Sequence, residues 1–356
     1  MTNKNLLVLG GGGFIGTTFY KKFKYKFDQI IVYDWFEGPT HNENNFLFNS
    51  LKNNLKKKDQ IIRDDIYNIK SYKNLLSDIS NLVILNADTG TGNSFFKPFQ
   101  NTYYNSTILT YCFEFFNQNN FNFSNIIYAS SRAVYGEGNW YSSEGKAKIS
   151  RTNYLKTGLL NCDNTNKSIF LKSFEETQAL DPLSIYGLNK VFSESFLKII
   201  NENRHVNTSI LRFQNVYGVG QSMTNPYTGV LNWFSSSFLN NSTVEIYEKG
   251  LIQRDFVHVN DVVESIYLSL KNNLGYNIYN IGSGKPVFLT DVAQKLKHNY
   301  KSKSKIEIVD KYRNGDVLGA FSDNEKANKI LKYKPKVKLE SGLEEYCDWF
   351  NSEYRG

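Results

Sequence analysis

The stretch LLVLGGGGFIGTTFY, from Leu6 to Tyr20, joins a short apolar run to an amphipathic segment through a cluster of glycines. Three of these glycines, Gly10, Gly13 and Gly16, follow the spacing of a turn between a buried strand and a helix. The first permits the tight turn, the second lets backbone approach a ligand closely, and the third lets the helix pack on the strand. Amide donors at the start of the helix would then face the ligand, which favours a pyrophosphate.

Further short apolar runs follow, separated by amphipathic segments. They are continuously apolar rather than alternating, as strands buried on both faces of a parallel sheet are. The repeated strand–helix order predicts an α/β fold with a doubly wound, Rossmann-type parallel sheet. Its strands are expected at Leu6–Gly10, Gln29–Asp34, Gln60–Asp65, Asn81–Ala87, Asn125–Ser130 and Thr208–Phe213.

The chain changes character after Asn215, where glycines punctuate short segments. VEIYEKG, RDFVHVNDVVESIYLSL and YNIYNIGSG predict a smaller α/β part packed on the carboxyl edge of the sheet. We therefore expect a cofactor-binding domain over 1–214 and a mainly substrate-binding domain over 215–356, interleaved with the first. Residues 137–172 are polar and aperiodic, which predicts an inserted loop or small excursion.

The bulk composition excludes several classes of protein. Hydrophobic residues make up 40% and charged residues 21% of the 356 residues, which is typical of a soluble globular protein. No run approaches the roughly 20 apolar residues of a membrane span. The net charge is +8, but basic and aromatic residues do not alternate, so solvated lysine-rich faces are favoured over a nucleic-acid groove. We expect neither a membrane nor a nucleic-acid partner.

Cysteines and histidines give no sign of a disulfide framework or a metal site. Cys112, Cys162 and Cys347 are widely separated and odd in number, which favours reduced thiols in the cytoplasm. We predict no metal ion, and we expect His258 to be a structural histidine.

The second predicted strand ends at Asp34. A carboxylate at that position accepts hydrogen bonds from the adenosine ribose hydroxyls and repels a 2′-phosphate. The glycine loop and Asp34 together predict NAD rather than NADP. Asp65 and Ile66, after the third strand, are placed to meet the adenine.

The segment SIYGLNKVFSE places Tyr186 and Lys190 four residues apart on a predicted helix, where they share one face. The pKa of a phenol is ordinarily about 10. A nearby ammonium and a positive nicotinamide ring would lower the pKa of Tyr186, which could then exchange a proton with a sugar hydroxyl near neutral pH. Lys190 could also hold the nicotinamide ribose.

The glycine loop, the segment SSRAVYG (Ser130–Gly136) and the Tyr–Lys pair give the chain a family resemblance. It resembles the extended short-chain dehydrogenase/reductases that act on nucleotide sugars, over nearly its whole length. NADTGTGNS (Asn86–Ser94) and LRFQNVYGVGQSMTNPYTGVLNWF (Leu211–Phe234) look like the subgroup that contains dTDP-L-rhamnose 4-epimerases. That subgroup carries a CPxCG-like element between the serine strand and the tyrosine helix, and only Cys162 stands there in this chain.

The resemblance implies roles for individual residues. Ser131 would join Tyr186 and Lys190 as the third catalytic residue and orient the reacting oxygen. The implied NAD contacts are Gly10, Gly13, Phe14, Ile15, Gly16, Asp34, Asp65, Ile66, Ala87, Tyr186 and Lys190. The implied contacts to the nucleotide-diphosphate sugar are Thr89, Thr91, Ser131, Arg132, Asn215, Arg254, Arg313 and Asp316.

Arg132 and Ala133 narrow the implied activity. In the family's 4,6-dehydratases these two positions carry an Asp and a Glu that eliminate water across C5–C6, and here neither carboxylate is present. The resemblance therefore implies an epimerase, with inversion at C4 through a transient 4-keto sugar and tightly bound NAD. A 4-keto reductase or dehydrogenase and a C2 epimerase on the same scaffold stay open. A C3/C5 epimerase, a dehydratase and a non-catalytic dinucleotide-binding relative are less favoured.

The family's habit further implies a homodimer through helices around 101–117 and 186–200, and a role in the synthesis of polysaccharides or other glycans.

Overall fold

The computed structural model of the chain describes residues 4–37, 46–143, 145–146, 169–223, 229–272, 274–312 and 316–355, with no side chain described for Arg355. Arg313, Cys162 and most of the segment expected to form an insertion lie outside the described residues.

A sheet of seven parallel strands forms the centre of the molecule. The order of its strands, counted along the chain, is 3-2-1-4-5-6-7, with the reversal between the first and fourth strands. This is the doubly wound arrangement that the apolar runs predict, and it opens a crevice at the carboxyl ends of the strands where the order reverses. The strands are β1 (Asn5–Leu9), β2 (Gln29–Asp34), β3 (Gln60–Arg63), β4 (Asn81–Ile84) and β5 (Asn125–Ser131), followed after an insertion by β9 (Asn207–Phe213) and β13 (Tyr276–Ile281).

The last of these strands corrects the sequence prediction. The segment YNIYNI was expected in the smaller part, but β13 pairs in parallel with β9, with Tyr276 opposite Thr208 and Ile281 opposite Phe213. It forms an edge of the main sheet, and its first residues are only half-buried. The pairing joins residues far apart in the chain, so local sequence patterns give no sign of it.

Helices cover both faces of this sheet. They are α1 (Phe14–Phe23), α2 (Phe46–Lys52), α3 (Lys73–Leu76), α4 (Thr91–Phe96), α5 (Pro98–Thr102), α6 (Ile108–Gln118) and α7 (Ile185–Arg204), with a π-helical turn, Tyr103–Thr107, between α5 and α6. Short 3₁₀ turns lie at Lys24–Lys26, Ile66–Tyr72, Arg132–Val134 and Glu248–Gly250.

Alternate residues of each central strand feed two separate apolar cores, because successive side chains of a strand point to opposite faces. Leu6 and Val8 of β1 pack with Phe19 of α1 on one face. Leu7 and Leu9 pack with Phe116 of α6 on the other. Burial on both faces explains why the strands are continuously apolar, and each such side chain contributes about 1.5–3 kcal/mol.

The second half of the chain adds the smaller α/β part. Its strands are β10 (Asn215–Tyr217), β11 (Val244–Ile246), β12 (Gln253–His258), β14 (Pro286–Phe288), β15 (Ile306–Ile308) and β16 (Gly319–Ala320). Its helices are α8 (Val230–Leu239), α9 (Val259–Leu270), α10 (Leu289–Asn299), α11 (Glu325–Leu331) and α12 (Leu339–Arg355). Helix α9 instead joins the core of the main sheet, through Val262 and Ile266. The division of the chain at 214/215 stays a prediction.

The described ends of the predicted insertion form strands. Strand β6 (Asn139–Ser142) pairs in antiparallel fashion with β7 (Gly145–Lys146) and β8 (Phe170–Lys172). Trp140 is buried, so this segment packs on the body of the protein through an apolar anchor. Within the described ranges, no helix has both the length and the apolarity needed to cross a bilayer.

Candidate active site

A cavity of about 1290 Å³ lies between the carboxyl edge of the main sheet and the smaller part. Pockets for one small ligand are usually about 300–1000 Å³, so this cavity has room for two ligands. Its lining runs from the glycine loop at one end to Arg254 and Asp316 at the other. Every predicted site residue that the structure describes lines it.

The glycine loop forms the first end of the cavity. Gly10 has a φ of +71°, and a Cβ there would lie 2.3 Å from the backbone nitrogen of Asn86 on the neighbouring strand end. Gly16 packs against the backbone of Gly11, and Gly13 caps the start of α1. The loop is therefore held close to the sheet, with the N-terminus of α1 directed at the cavity.

Asp34 has a structural partner in this loop. One carboxylate oxygen accepts a hydrogen bond from the Gly12 amide at 2.8 Å and the other from the Phe36 amide at 2.9 Å. The carboxylate thus fixes the loop and still lines the cavity beside Trp35. Phe14, Ile15, Asp65, Ile66 and Ala87 line the same cavity.

Replacing Gly10 with alanine should destabilise this loop. The strained backbone and the clash with Asn86 are expected to lower the free energy of unfolding by about 2–5 kcal/mol and to remove bound NAD. Gly92→Ala is the matched control, because a Cβ at Gly92 meets nothing within 4 Å. Thermal unfolding and the NAD content of the purified proteins would check this, and equal behaviour of the two variants would contradict it.

Three consecutive residues at the end of β5 lie against three residues of α7. The Ala129 carbonyl accepts a hydrogen bond from Lys190 Nζ at 2.8 Å. Ser130 Oγ donates to Glu194 Oε1 at 2.5 Å. Ser131 Oγ accepts a hydrogen bond from the Ala133 amide at 3.2 Å and lies near Tyr186, whose pKa its side chain lowers.

The helical residues of these three contacts, Tyr186, Lys190 and Glu194, are spaced by four, so they form one stripe on α7. The helix begins just before Tyr186. Ser184 caps its N-terminus and accepts a hydrogen bond from the Gly187 amide at 3.0 Å. The three predicted catalytic residues are therefore brought together at one point of the cavity wall.

Burial governs the electrostatics of this trio. It raises the pKa of Tyr186 to about 12, against the lowering effects of the nearby Ser131 side chain and the Arg132 charge. Burial also lowers the pKa of Lys190 to about 7, against the raising effect of the Glu194 carboxylate. The expectation that Lys190 lowers the pKa of Tyr186 is not met in the protein alone, because removal from water outweighs the neighbouring charges.

The sequence analysis missed a buried ion pair behind this trio. Glu194 and Arg212 are both almost fully buried and meet at 2.6 Å. Arg212 also donates to Tyr135 Oη at 2.9 Å, and that hydroxyl donates to Asn280 Oδ1 at 2.7 Å. The only sequence signal is a glutamate four residues beyond Lys190, which looks like part of a solvated helix face.

Removing the Glu194 charge should shift the pH profile of activity. In Glu194→Gln the pKa of Lys190 would fall below its present value of about 7, so the cation would be lost at lower pH. We expect the alkaline decline of kcat/KM to move to lower pH, with a loss on the order of tenfold at pH 8.

Arg212→Met is the matched control, because each single variant leaves one buried charge unpaired and should destabilise the fold by about 3–5 kcal/mol. Arg212→Met leaves the Glu194 carboxylate in place and should not move the alkaline decline to lower pH. The double variant removes both charges and should recover stability but keep the shifted profile. Identical profiles for both single variants would mean that Glu194 acts only on stability.

The predicted substrate residues extend from the neighbourhood of Ser131 to the far end of the cavity. Arg132 Nε donates to Asn215 Oδ1 at 2.9 Å, so these two residues form one unit. Arg254 is buried and donates to the carbonyl oxygens of Val317 at 2.6 Å and Gln253 at 2.9 Å. Several Arg254 donors are thus used within the protein, which fixes its guanidinium firmly at the cavity wall. Thr89, Thr91 and Asp316 also line the cavity.

His258 lies away from the cavity lining, as expected of a structural histidine. Its Nδ1 accepts a hydrogen bond from the Asn260 amide at 3.3 Å, capping α9. Burial lowers the pKa of this imidazole. Among the described residues, no cluster of three or more His, Cys, Asp or Glu side chains could hold a metal ion.

Asp88 is a second feature that the sequence analysis missed. It lines the cavity beside Thr89, and its buried Oδ2 has no hydrogen-bond partner among the residues that the structure describes. Burial raises the pKa of this carboxyl, and its charge in turn raises the pKa of Tyr186. Nothing in its sequence context distinguishes Asp88 from an ordinary turn residue after a strand.

The fold is of the Rossmann type, and a serine, a tyrosine and a lysine meet at one wall of its cavity. The model of the NAD dependent epimerase/dehydratase family matches residues 6–282. The chain belongs to this family, which confirms the predicted family, the fold class and the dependence on NAD.

Similar proteins of known name cover almost the full length of the chain. The dTDP-L-rhamnose 4-epimerase of Burkholderia thailandensis is 29% identical over 98% of this chain and 96% of its own. The structure of UDP-N-acetylglucosamine 4-epimerase from Methanobrevibacter ruminantium aligns with a TM-score of 0.79 at 24% identity, over 99% of this chain and 100% of that one. UDP-glucuronic acid 4-epimerase from Bacillus cereus aligns with a TM-score of 0.79 at 23% identity, over 98% and 100%. All three are 4-epimerases of nucleotide sugars, and the roles of individual residues in this chain stay predictions.

Proposed function

We propose that the protein is an NAD-dependent nucleotide-sugar epimerase that inverts C4 through a transient 4-keto sugar. The observation that carries this proposal is the stripe on α7, which holds Tyr186 and Lys190 against Ser131 at the wall of a cavity large enough for cofactor and substrate. The cavity lining continues from the glycine loop to Arg254, as a dinucleotide and a nucleotide sugar placed end to end would require.

Each residue of the trio has a distinct task in this reaction. Tyr186 takes the proton of the C4 hydroxyl and later returns it. Ser131 holds the same oxygen and orients it toward Tyr186. Lys190 supplies positive charge beside the phenol ring of Tyr186, with its Nζ 5.7 Å from the centroid of that ring. Bound NAD supplies the acceptor and donor for the C4 hydride, together with a positive ring that favours the phenolate.

The size of the cavity supports epimerisation over a one-way reaction. A 4-keto sugar has to turn within the site so that hydride returns to its other face, and the cavity leaves room for this beside a bound dinucleotide. Arg132 and Ala133 stand where a dehydratase would need two carboxylates, which disfavours loss of water.

Proton NMR of nucleotide sugars incubated with the protein in deuterated water, without added NAD, tests the proposal. The panel includes dTDP-rhamnose, UDP-glucose, UDP-glucuronate, UDP-N-acetylglucosamine and GDP-mannose. We expect inversion at C4 with no deuterium on carbon. Deuterium at C3 or C5 would mean enolisation, and turnover only after addition of NADH or NADPH would mean a reductase.

Tyr186→Phe should abolish this inversion while leaving the fold intact. General acid–base catalysis contributes about 10²–10⁴-fold, and we expect kcat to fall by that factor. Bound NAD and the melting temperature should change little, because the hydroxyl is the only group removed. Undiminished turnover by Tyr186→Phe would assign proton transfer to another residue.

We further propose that the protein is a homodimer that associates through α7. Leu188, Phe192 and Ile199 of this helix are exposed apolar side chains, between 47% and 58% accessible. Phe192→Glu should shift the mass measured by light scattering from twice the chain mass to once. Tyr25→Glu, at an exposed aromatic residue outside α7, is the control. A wild-type monomer would contradict the proposal.

We also propose that the enzyme works in the reducing cytoplasm, in the synthesis of a polysaccharide or other glycan. Cys112 and Cys347 are buried free thiols, which suits that compartment. Recovery of the protein from the cytosolic fraction of its host would check the location.

A further inference from the structure

Arg132 presents an unused guanidinium fork to the cavity. It follows Ser131 directly, at the start of the turn Arg132–Val134. Its Nε is held by Asn215 Oδ1 at 2.9 Å, and its two terminal amino groups have no hydrogen-bond partner among the described parts of the chain. A guanidinium fixed at Nε with both terminal groups free is arranged to bind two oxygens at once.

Charged groups of both signs act on Arg132. Arg254 repels it, the carboxylates of Asp316 and Glu137 attract it, and burial together with Arg254 lowers its pKa to about 9. The Glu137 carboxylate already accepts hydrogen bonds from the amides of Leu318 at 2.9 Å and Gly138 at 2.6 Å. A bound anion facing the free edge of the fork would offset the cost of keeping this cation away from water.

The position of the fork indicates which part of the ligand carries the anion. Arg254 lies on β12, in the smaller part of the protein, where the nucleotide diphosphate is expected. The charge of Arg254 acts on Arg132 as well, but Arg132 adjoins Ser131 directly and its own charge acts on Tyr186, so it borders the reacting centre. With the C4 hydroxyl held between Ser131 and Tyr186, the next carbon, C5, places its C6 substituent beside this centre. A C6 carboxylate is the group that offers two paired, charged oxygens there.

We propose that Arg132, positioned by Asn215, binds the carboxylate of a hexuronic acid, so that the substrate is a nucleotide-linked uronic acid. The inference rests on the proposed function, because the placement of C4 between Ser131 and Tyr186 fixes which substituent Arg132 meets. Binding and turnover are separable measurements, so a failure of one proposal can be told from a failure of the other.

The test compares sugars that differ only at C6. Affinities of the NAD-loaded protein for UDP-glucuronate and UDP-glucose, and for the corresponding dTDP pair, are measured by calorimetry together with those of free UDP and dTDP-L-rhamnose. We expect the uronate to bind on the order of 10- to 100-fold more tightly than its neutral partner in at least one pair, as a charged bidentate hydrogen-bonded pair would give.

Four variants test whether that preference belongs to the fork. Arg132→Met should abolish it, and Arg132→Lys, which keeps the charge but loses the paired donors, should retain only part of it. Arg204→Met removes an arginine whose guanidinium donates to the Phe121 carbonyl outside the cavity, and should leave the preference unchanged. Asn215→Ala should reduce the preference less than Arg132→Met does, because it frees the guanidinium without removing it.

Each outcome of these measurements either supports or contradicts the proposal. A preference for uronates that Arg132→Met removes supports the proposal, even if the bound sugar is not epimerised at C4, in which case the proposed function fails alone. Equal affinities within both pairs, or tighter binding of dTDP-L-rhamnose than of either uronate, would overturn it. Equal losses for free UDP and both UDP-sugars in Arg132→Met would assign the fork to the phosphates instead.

Discussion

The hydrogen bonds between the end of β5 and the stripe on α7 are the constraint on which the rest of the site depends. Ala129 and Ser130 each have a hydrogen-bond partner on the helix, and Ser131 lies beside Tyr186. The bond from Ser130 reaches Glu194, whose charge is balanced by Arg212. Strand and helix are separated by more than 50 residues of chain and by a polar insertion, so contacts between distant segments have to hold the serine near the tyrosine. Because the pair of Glu194 and Arg212 is buried, its geometry is well defined, but loss of either partner alone would leave an unpaired charge in the core.

The same contacts connect stability with chemistry. Lys190 is held away from water, where burial favours its neutral form, and the nearby Glu194 carboxylate favours its charged form. The pKa of Tyr186 is set by opposing effects as well. Ser131 and Arg132 favour the phenolate, whereas burial and the Asp88 charge favour the protonated phenol. The protein alone therefore keeps Tyr186 protonated at neutral pH. A positively charged cofactor ring would lower the pKa of Tyr186, so proton transfer would depend on the presence of oxidised cofactor.

Much of the fold could be predicted from the sequence, because continuously apolar strands and a glycine loop are local patterns. Six of the seven strands of the main sheet lie where the apolar runs indicate, and the residues assigned to the trio converge as expected. What could not be predicted depends on contacts between distant segments. The pairing of Tyr276–Ile281 with β9, the burial of Glu194 beside Arg212, and the bond from Arg132 to Asn215 all join residues far apart in the chain. The burial that raises the pKa of Tyr186 in the protein alone could not be predicted for a similar reason, since it is a property of the assembled cavity.

The central claim is that hydride leaves C4 and returns to the same sugar within one closed site. A crossover experiment tests this most directly. A nucleotide sugar that carries deuterium at C4 and ¹³C throughout the ring is mixed with the unlabelled sugar and converted by the protein without added cofactor. We expect deuterium to stay at C4 of the ¹³C-labelled molecules after inversion. Deuterium at C4 of unlabelled product, or its loss to solvent, would contradict a hydride held and returned within a single turnover.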